Sequence, residues 1–210
     1  MPPNDANVVC VVARHGRTVL NATNSFRGKA NPPLDSVGLK QAADLAKLMK
    51  DFDICCIFSS DKIRATKTAE IISRENGTPV HTTESLRALN VGDFSGKERT
   101  PENEASLERY LSNPETTIPG GESLNQFKAR VRPCLLEAIK IFETCGKPPL
   151  LVAHSSVVRE CGSFVYNDHK KVLVQPGGAI AIYVQPNGKL GTEAIFRPMK
   201  ATGPHAATIT

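Results

Sequence analysis

The apolar positions of the chain fall into two kinds of segment. Continuous runs, Val8-Val9-Cys10-Val11-Val12-Ala13 and Leu150-Leu151-Val152-Ala153, read as strands covered on both faces, each ended by a charged or polar residue. Ile54-Cys55-Cys56-Ile57-Phe58 and Ala179–Val184 read the same way, with a weaker strand near Ile195 and a short one at Val80-His81-Thr82-Thr83. Between these runs the apolar spacing becomes helical. Leu39, Ala42, Ala43, Leu45, Ala46, Leu48 and Met49 form one face behind a cap at Asp35 or Ser36. Ile63, Ala65, Ala69, Ile71 and Ile72 form a second helix, with Ser59-Ser60-Asp61 as its expected cap. Leu124, Phe127, Val131, Leu135, Ala138, Ile139 and Phe142 form a long third, and another runs from Val157 to Tyr166. Strands alternating with helices predict an α/β fold, a three-layer α/β/α sandwich with a mostly parallel sheet.

Two polar stretches interrupt this alternation. Arg17 to Pro33 reads as a loop. A segment near 88–119, with a helix around Glu102 to Leu111, reads as a cap over the sheet edge. Residues 1–197 are expected to form a single domain, without internal repeat or linker, followed by a disordered tail over 198–210.

Composition narrows the classes of function. Hydrophobic content of 40% and charged content of 22% are ordinary for a soluble globular protein. No apolar run is long enough to cross a bilayer, and the first residues lack the pattern of a signal peptide, so a cytoplasmic protein is expected. The net charge of +5 is spread thinly, which argues against nucleic acid or membrane as partner. The six cysteines show no zinc spacing and read as buried or half-buried thiols in a reducing compartment. Oligomeric state is left open, a homodimer included.

The candidate chemistry lies where apolar runs end. Open α/β sheets hold ligands at the carboxyl ends of their strands. One strand delivers Arg14 and His15 to that edge, another delivers His154 and Ser155. One imidazole can attack phosphorus, while the other, if protonated, and the guanidinium neutralise phosphoryl oxygens. Arg64, in the first turn of a helix that follows a strand, can point into the same cleft. In the first loop the Asn21 amide can hold an oxygen, Gly28 lets backbone approach an anion, and Arg27 and Lys29 are further candidates. Serine N–H groups at the helix start after His154 suit an anion as well. His81, which ends no strand, is expected to be structural.

Arg14-His15-Gly16 resembles the opening motif of the histidine phosphatase superfamily, in its phosphoglycerate-mutase-like branch, and the resemblance runs from about Val8 to about Val184. The Asn21, Phe26, Gly28 spacing is similar to the mutase loop, and Ser59 to Ala69 resembles the family's second arginine motif, which implies that Arg64 grips the phosphoryl group. Gly121-Glu122-Ser123 is also a family signature, implying either a contact to the histidine region or a helix cap. The chain departs from the pattern in three places. Ala88 stands where the family carries its glutamate proton donor, two serines replace two glycines after His154, and the cap lacks the adjacent arginine pair of the glycolytic mutases.

The resemblance implies in-line attack by His15 and hydrolysis of a phosphohistidine, with Arg14, Arg64, His154 and Asn21 around the equatorial oxygens and neither metal nor cofactor. The pKa of His15 is expected to be depressed by its two arginines. The proton at Ala88's position could come from a relocated acid, with Asp93 the candidate and Glu84 and Glu98 also near. Alternatively, the substrate could have an easy leaving group, such as a phosphoanhydride, acyl phosphate or phosphohistidine. The reading is a metal-independent phosphatase acting on a small phosphorylated substrate. A phosphoglycerate-type phosphomutase and a weakly catalytic phosphate- or protein-binding module are the alternatives.

Overall fold

The computed structural model describes residues 7–21, 23–28, 30–166 and 172–196. Lys29 and the tail expected to be disordered lie outside the described residues. The first apolar run forms strand β1, Asn7–Arg14, and the run before His154 forms β4, Leu150–Ala153. With β2 (Ile57–Ser60), β3 (Val80–Thr83), β5 (Ala179–Val184) and β6 (Leu190–Phe196) they make one six-stranded sheet in the order β3-β2-β4-β1-β5-β6. The first four strands of that order run parallel; β5 and β6 pair antiparallel at one side.

Helices cover both faces, which is why the central strands are apolar throughout. On one face α1 (Ser36–Met49) and α2 (Ile63–Asn76) close a core with Val11, Ala13, Leu150 and Val152. On the other, α4 (Leu124–Cys145) and α5 (Ser155–Tyr166) close a core with Cys10, Val12, Leu151 and Ala153. Successive residues of β1 and β4 therefore serve opposite layers, as the two-residue period of a strand demands.

Two local expectations need correction. The second strand was expected at Ile54–Phe58 but lies further on, because its ladder to β4 and β3 continues through Ser59 and Ser60. Those serines are thus strand residues at the sheet edge, and neither they nor Asp61 cap α2. Its cap position is Lys62, without a side-chain bond, and the Ile63 N–H is taken by the side chain of Asn31, 3.0 Å away, from the first loop. The other capping expectations hold. Asp35 accepts the Gly38 N–H, and Ser123 with Gln126 forms a reciprocal capping box.

The polar segment carries α3, Pro101–Ser112, capped by Thr100. It is tied to the first loop by Phe26 N–H to Lys97 O (2.9 Å), Gly96 N–H to Phe26 O (2.7 Å) and Arg99 N–H to Asn24 O (2.8 Å). Phe26, Phe94, Leu107 and Ile118 form a small separate core beneath this roof. All six cysteines are free thiols; Cys145 is exposed rather than buried or half-buried as expected. Among the described residues no helix is long and apolar enough to cross a membrane.

Candidate active site

Parallel pairing sets Arg14 of β1 opposite Ala153 of β4, so the next residue of each strand emerges at the same edge. Those residues are His15 and His154, whose ring centroids lie 5.1 Å apart. Both are buried, at 2% and 3% exposure, and Arg64, at 3%, lies between them. Arg64 Nε donates to His15 Nε2 at 3.2 Å and Nη2 reaches His154 Nδ1 at 3.3 Å. The third arm of the guanidinium donates to Ala30 O at 3.1 Å.

These bonds decide the tautomers. A carbonyl only accepts, so His15 Nδ1, 2.7 Å from Gly16 O, carries the proton and Nε2 keeps a lone pair toward Arg64. A guanidinium only donates, so His154 Nδ1 is an acceptor and Nε2–H points to Ser60 Oγ at 2.9 Å. His15 Nε2 thus keeps the lone pair that a nucleophile requires. Its loop is fixed by Thr68, which accepts the Gly16 N–H at 3.1 Å and donates to Arg64 O at 2.8 Å. Gly16 must be glycine, because a Cβ there would strike the backbone of Gly38 at the start of α1.

The electrostatics are those of a site that takes an anion. His15 is held well below the usual imidazole pKa, first by burial and then by His154, Arg64 and Arg14. The direction agrees with expectation, although burial outweighs the arginines as its cause. His154 is lowered likewise, by burial and then by Arg64, Arg14, Arg27 and Lys62, so the neutral form is favoured before an anion arrives. Arg14 is pushed down to about 9 by burial and by the positive charges of Arg27, Arg159, Arg64 and Arg99; Arg64 is pushed to about 10. Any dianion entering this cluster relieves that mutual repulsion and favours a proton on His154.

The expected residues are distributed unequally around this centre. Arg14 donates through Nη1 to Val174 O at 2.8 Å, and its Nε is buried without a partner among the described residues, a donor suited to a ligand. Asn21 uses its side-chain oxygen on the Thr18 N–H (2.9 Å) and hydroxyl (2.8 Å), which leaves the amide NH2 as its donating end. Arg27 is half-buried within the cationic cluster. Gly28, at φ +47°, lines the cleft, and a Cβ there would run into Ser95. Ser155 starts α5, but it is Ser156 whose hydroxyl has a defined partner, the Leu89 N–H at 3.0 Å. Asp93 does not face the cleft. It is exposed in a short turn with its carboxylate beside Gly120, so its place as the relocated acid is withdrawn.

Beyond Arg64 a cleft of about 480 Å³ opens, lined by Lys62, Glu84, Arg87, Ala88, Glu122 and Arg130 among others. Ala88 contributes only a methyl group to it. Its segment is gripped by Arg130, which donates to Ser85 O (2.8 Å), Arg87 O (2.8 Å) and Ala88 O (2.9 Å). His81 is exposed on β3 against Phe58, consistent with a structural role.

Sequence reasoning missed Ser60, Thr68, Lys62, Arg130 and Arg159. Ser60 was assigned to a cap, and only its strand pairing turns it toward His154. Arg159 carried a usable signal, since it follows Ser155 by four residues and so shares its helix face. Among the described residues, no group of three or more His, Cys, Asp or Glu side chains could hold a metal ion.

Comparison with known proteins agrees with this geometry. The family model described as the histidine phosphatase superfamily (branch 1) matches residues 10–163. A protein of Yersinia enterocolitica named "Probable phosphoglycerate mutase GpmB" is 35% identical over 147 residues, 68% of this chain and 67% of the relative. The structure of a phosphoglycerate mutase from Thermus thermophilus superposes with TM-score 0.63 at 30% identity, covering 82% of this chain and 91% of that one. A mycobacterial glucosyl-3-phosphoglycerate phosphatase shares the fold, with TM-score 0.74 at 21% identity and coverage of 90% and 97%. With its paired strand-end histidines bridged by Arg64, the chain belongs to the histidine phosphatase superfamily, in its phosphoglycerate-mutase-like branch.

Proposed function

We propose that the protein is a phosphatase that hydrolyses a small phosphorylated substrate through a phosphohistidine at His15, without a metal ion. The observation that carries this reading is the His15 tautomer. Nδ1–H is anchored on Gly16 O, and Nε2 presents its lone pair where Arg64 and His154 converge.

In the first step a phosphoryl group displaces the imidazole nitrogens as acceptors of the Arg64 N–H groups. Nε2 attacks phosphorus in line as the P–O bond to the leaving group breaks and its electron pair departs on that oxygen, and negative charge spreads over three equatorial oxygens. Arg14, Arg64 and the Asn21 amide donate to those oxygens, and His154 joins them once the dianion raises its proton affinity. Water then attacks the phosphohistidine and the N–P electron pair returns to Nε2. Burial keeps both imidazoles neutral before substrate arrives, so the nucleophile is ready at neutral pH.

Release of p-nitrophenolate from p-nitrophenyl phosphate in EDTA tests the reading. His15→Ala is expected to reduce turnover by roughly a thousandfold or more. Unchanged turnover in that variant would remove His15 as nucleophile, and trapping labelled phosphate on His15 would count against a mere binding module.

A phosphoglycerate-type mutase is the second reading, supported by the names carried by the Yersinia and Thermus relatives. Incubation with 3-phosphoglycerate and a bisphosphate primer separates the two: the 2-isomer marks a mutase, and inorganic phosphate alone marks a phosphatase.

A further inference from the structure

In-line attack by His15 Nε2 puts the leaving oxygen on the far side of phosphorus, and the cleft that opens beside this nitrogen is the one lined by its hydrogen-bond partner Arg64. A carboxyl group acting as general acid for that oxygen must face the cleft with its oxygens free of other partners. Among the described residues the cleft has two carboxylates, and both already accept from arginines. Glu122 takes two bonds from Arg130, at 2.9 and 2.7 Å, and a third from the Asn90 N–H at 2.8 Å. Glu84 accepts from Arg87 at 2.8 Å, and Arg87 also binds Asp61 through Nε at 2.8 Å. A carboxylate whose oxygens accept from a guanidinium is placed as an acceptor, not as a donor to a leaving oxygen.

The cations of the same cleft are arranged differently. Arg87 and Arg130 are neutralised by these carboxylates, but no ion pair engages Lys62 among the described residues. Lys62 lies two residues before Arg64, lines the cleft, and its positive charge reaches His154. The leaving-group side therefore presents an ammonium in no ion pair among the described residues, beside carboxylates held by arginines, an arrangement that stabilises a departing negative charge and offers it no free carboxyl group.

We propose that this site cleaves phosphoryl groups from anionic leaving groups, those of phosphoanhydrides and acyl phosphates, and that Lys62 holds the departing charge. The proposal rests on the phosphohistidine reading of His15. The lone pair of Nε2 forms the N–P bond as the P–O bond breaks, and the bonding pair stays on the departing oxygen, which leaves as phosphate or carboxylate without taking a proton. Water then adds to phosphorus, the N–P pair returns to Nε2, and the water proton passes to the product phosphate or to solvent.

The test is a series of phosphoryl donors on the full-length protein, from acetyl phosphate and pyrophosphate through p-nitrophenyl phosphate to glycerol phosphate, read as kcat/KM. Without acid assistance the value is expected to fall by about a hundredfold to ten-thousandfold between acetyl phosphate and glycerol phosphate. Lys62→Ala is expected to slow acetyl phosphate about tenfold while p-nitrophenyl phosphate changes less. Ala88→Glu is expected to narrow the gap by restoring an acid. Equal rates across the series in the unaltered protein would overturn the proposal and leave the phosphatase reading standing. A steep series indifferent to Lys62→Ala would overturn the role of Lys62. No phosphate release from any donor, with no label on His15, would overturn both readings together.

Discussion

Arg64 carries three separate jobs on one planar side chain. Its Nε and Nη2 point at the two histidines, and Nη1 holds the loop carbonyl of Ala30. A lysine has no such fork and could not hold all three directions at once. The two imidazoles beside it are neutral in the folded protein, and this has a consequence for stability. Their folded pKa values lie below the ordinary 6.5, so the unfolded chain binds more protons than the folded one as pH falls through that value. Stability is therefore full above about pH 6.5 and lost on acidification toward the folded values. Urea unfolding at pH 7 and pH 5 is expected to differ by up to about 2 kcal/mol for each histidine. His154→Asn should remove part of that difference; an unaltered slope in the variant would show that other groups set the acid sensitivity.

At the scale of elements, α2 shows how a local rule gives way to pairing. Ser59-Ser60-Asp61 before an apolar helical face has the composition of a cap, yet β2 claims the serines for its ladder. The orphaned helix start is then served by Asn31, from a loop 32 residues earlier in the chain. That bond ties the first loop to the start of α2, one residue before Arg64. Asn31→Ala is expected to cost about 1 kcal/mol, the ordinary worth of a helix cap. Because the lost bond lies one residue before Arg64, KM for substrate is expected to rise with it. A variant as stable as the parent in thermal unfolding would show that water replaces the amide without cost.

The whole molecule has a large two-faced core around β1 and β4 and a small one under the roof. Phe26, Phe94, Leu107 and Ile118 join the first loop to the cap in a cluster of their own, and half-buried Leu89 packs against both this cluster and the core beneath α4 and α5. A core of this size supports local opening at lower cost than global unfolding. Leu107→Ala, which removes a buried side chain, is expected to weaken the roof by about 2 kcal/mol. Amide exchange should quicken around 94–111 while β1 and β4 stay protected; uniform loss of protection would mean that roof and sheet unfold as one.

Strand runs ending in Arg14-His15 and His154 were legible because a strand buried on both faces is apolar throughout and a polar residue ends it visibly. The helices were legible from the same contrast at a longer period. Arg64 was placed by its position just after a strand and by its resemblance to a family motif. Ser60, Lys62, Arg130 and the withdrawal of Asp93 were not, since each depends on where a side chain points once distant strands pair. The linear chain thus determined which segments are buried and which chemistry reaches their ends. Only the tertiary structure decided which nitrogen of His15 keeps its lone pair and which carboxylates pair with arginines. Those properties belong to through-space partners, and a one-dimensional pattern of apolar and polar residues holds no information about the angle at which two groups meet.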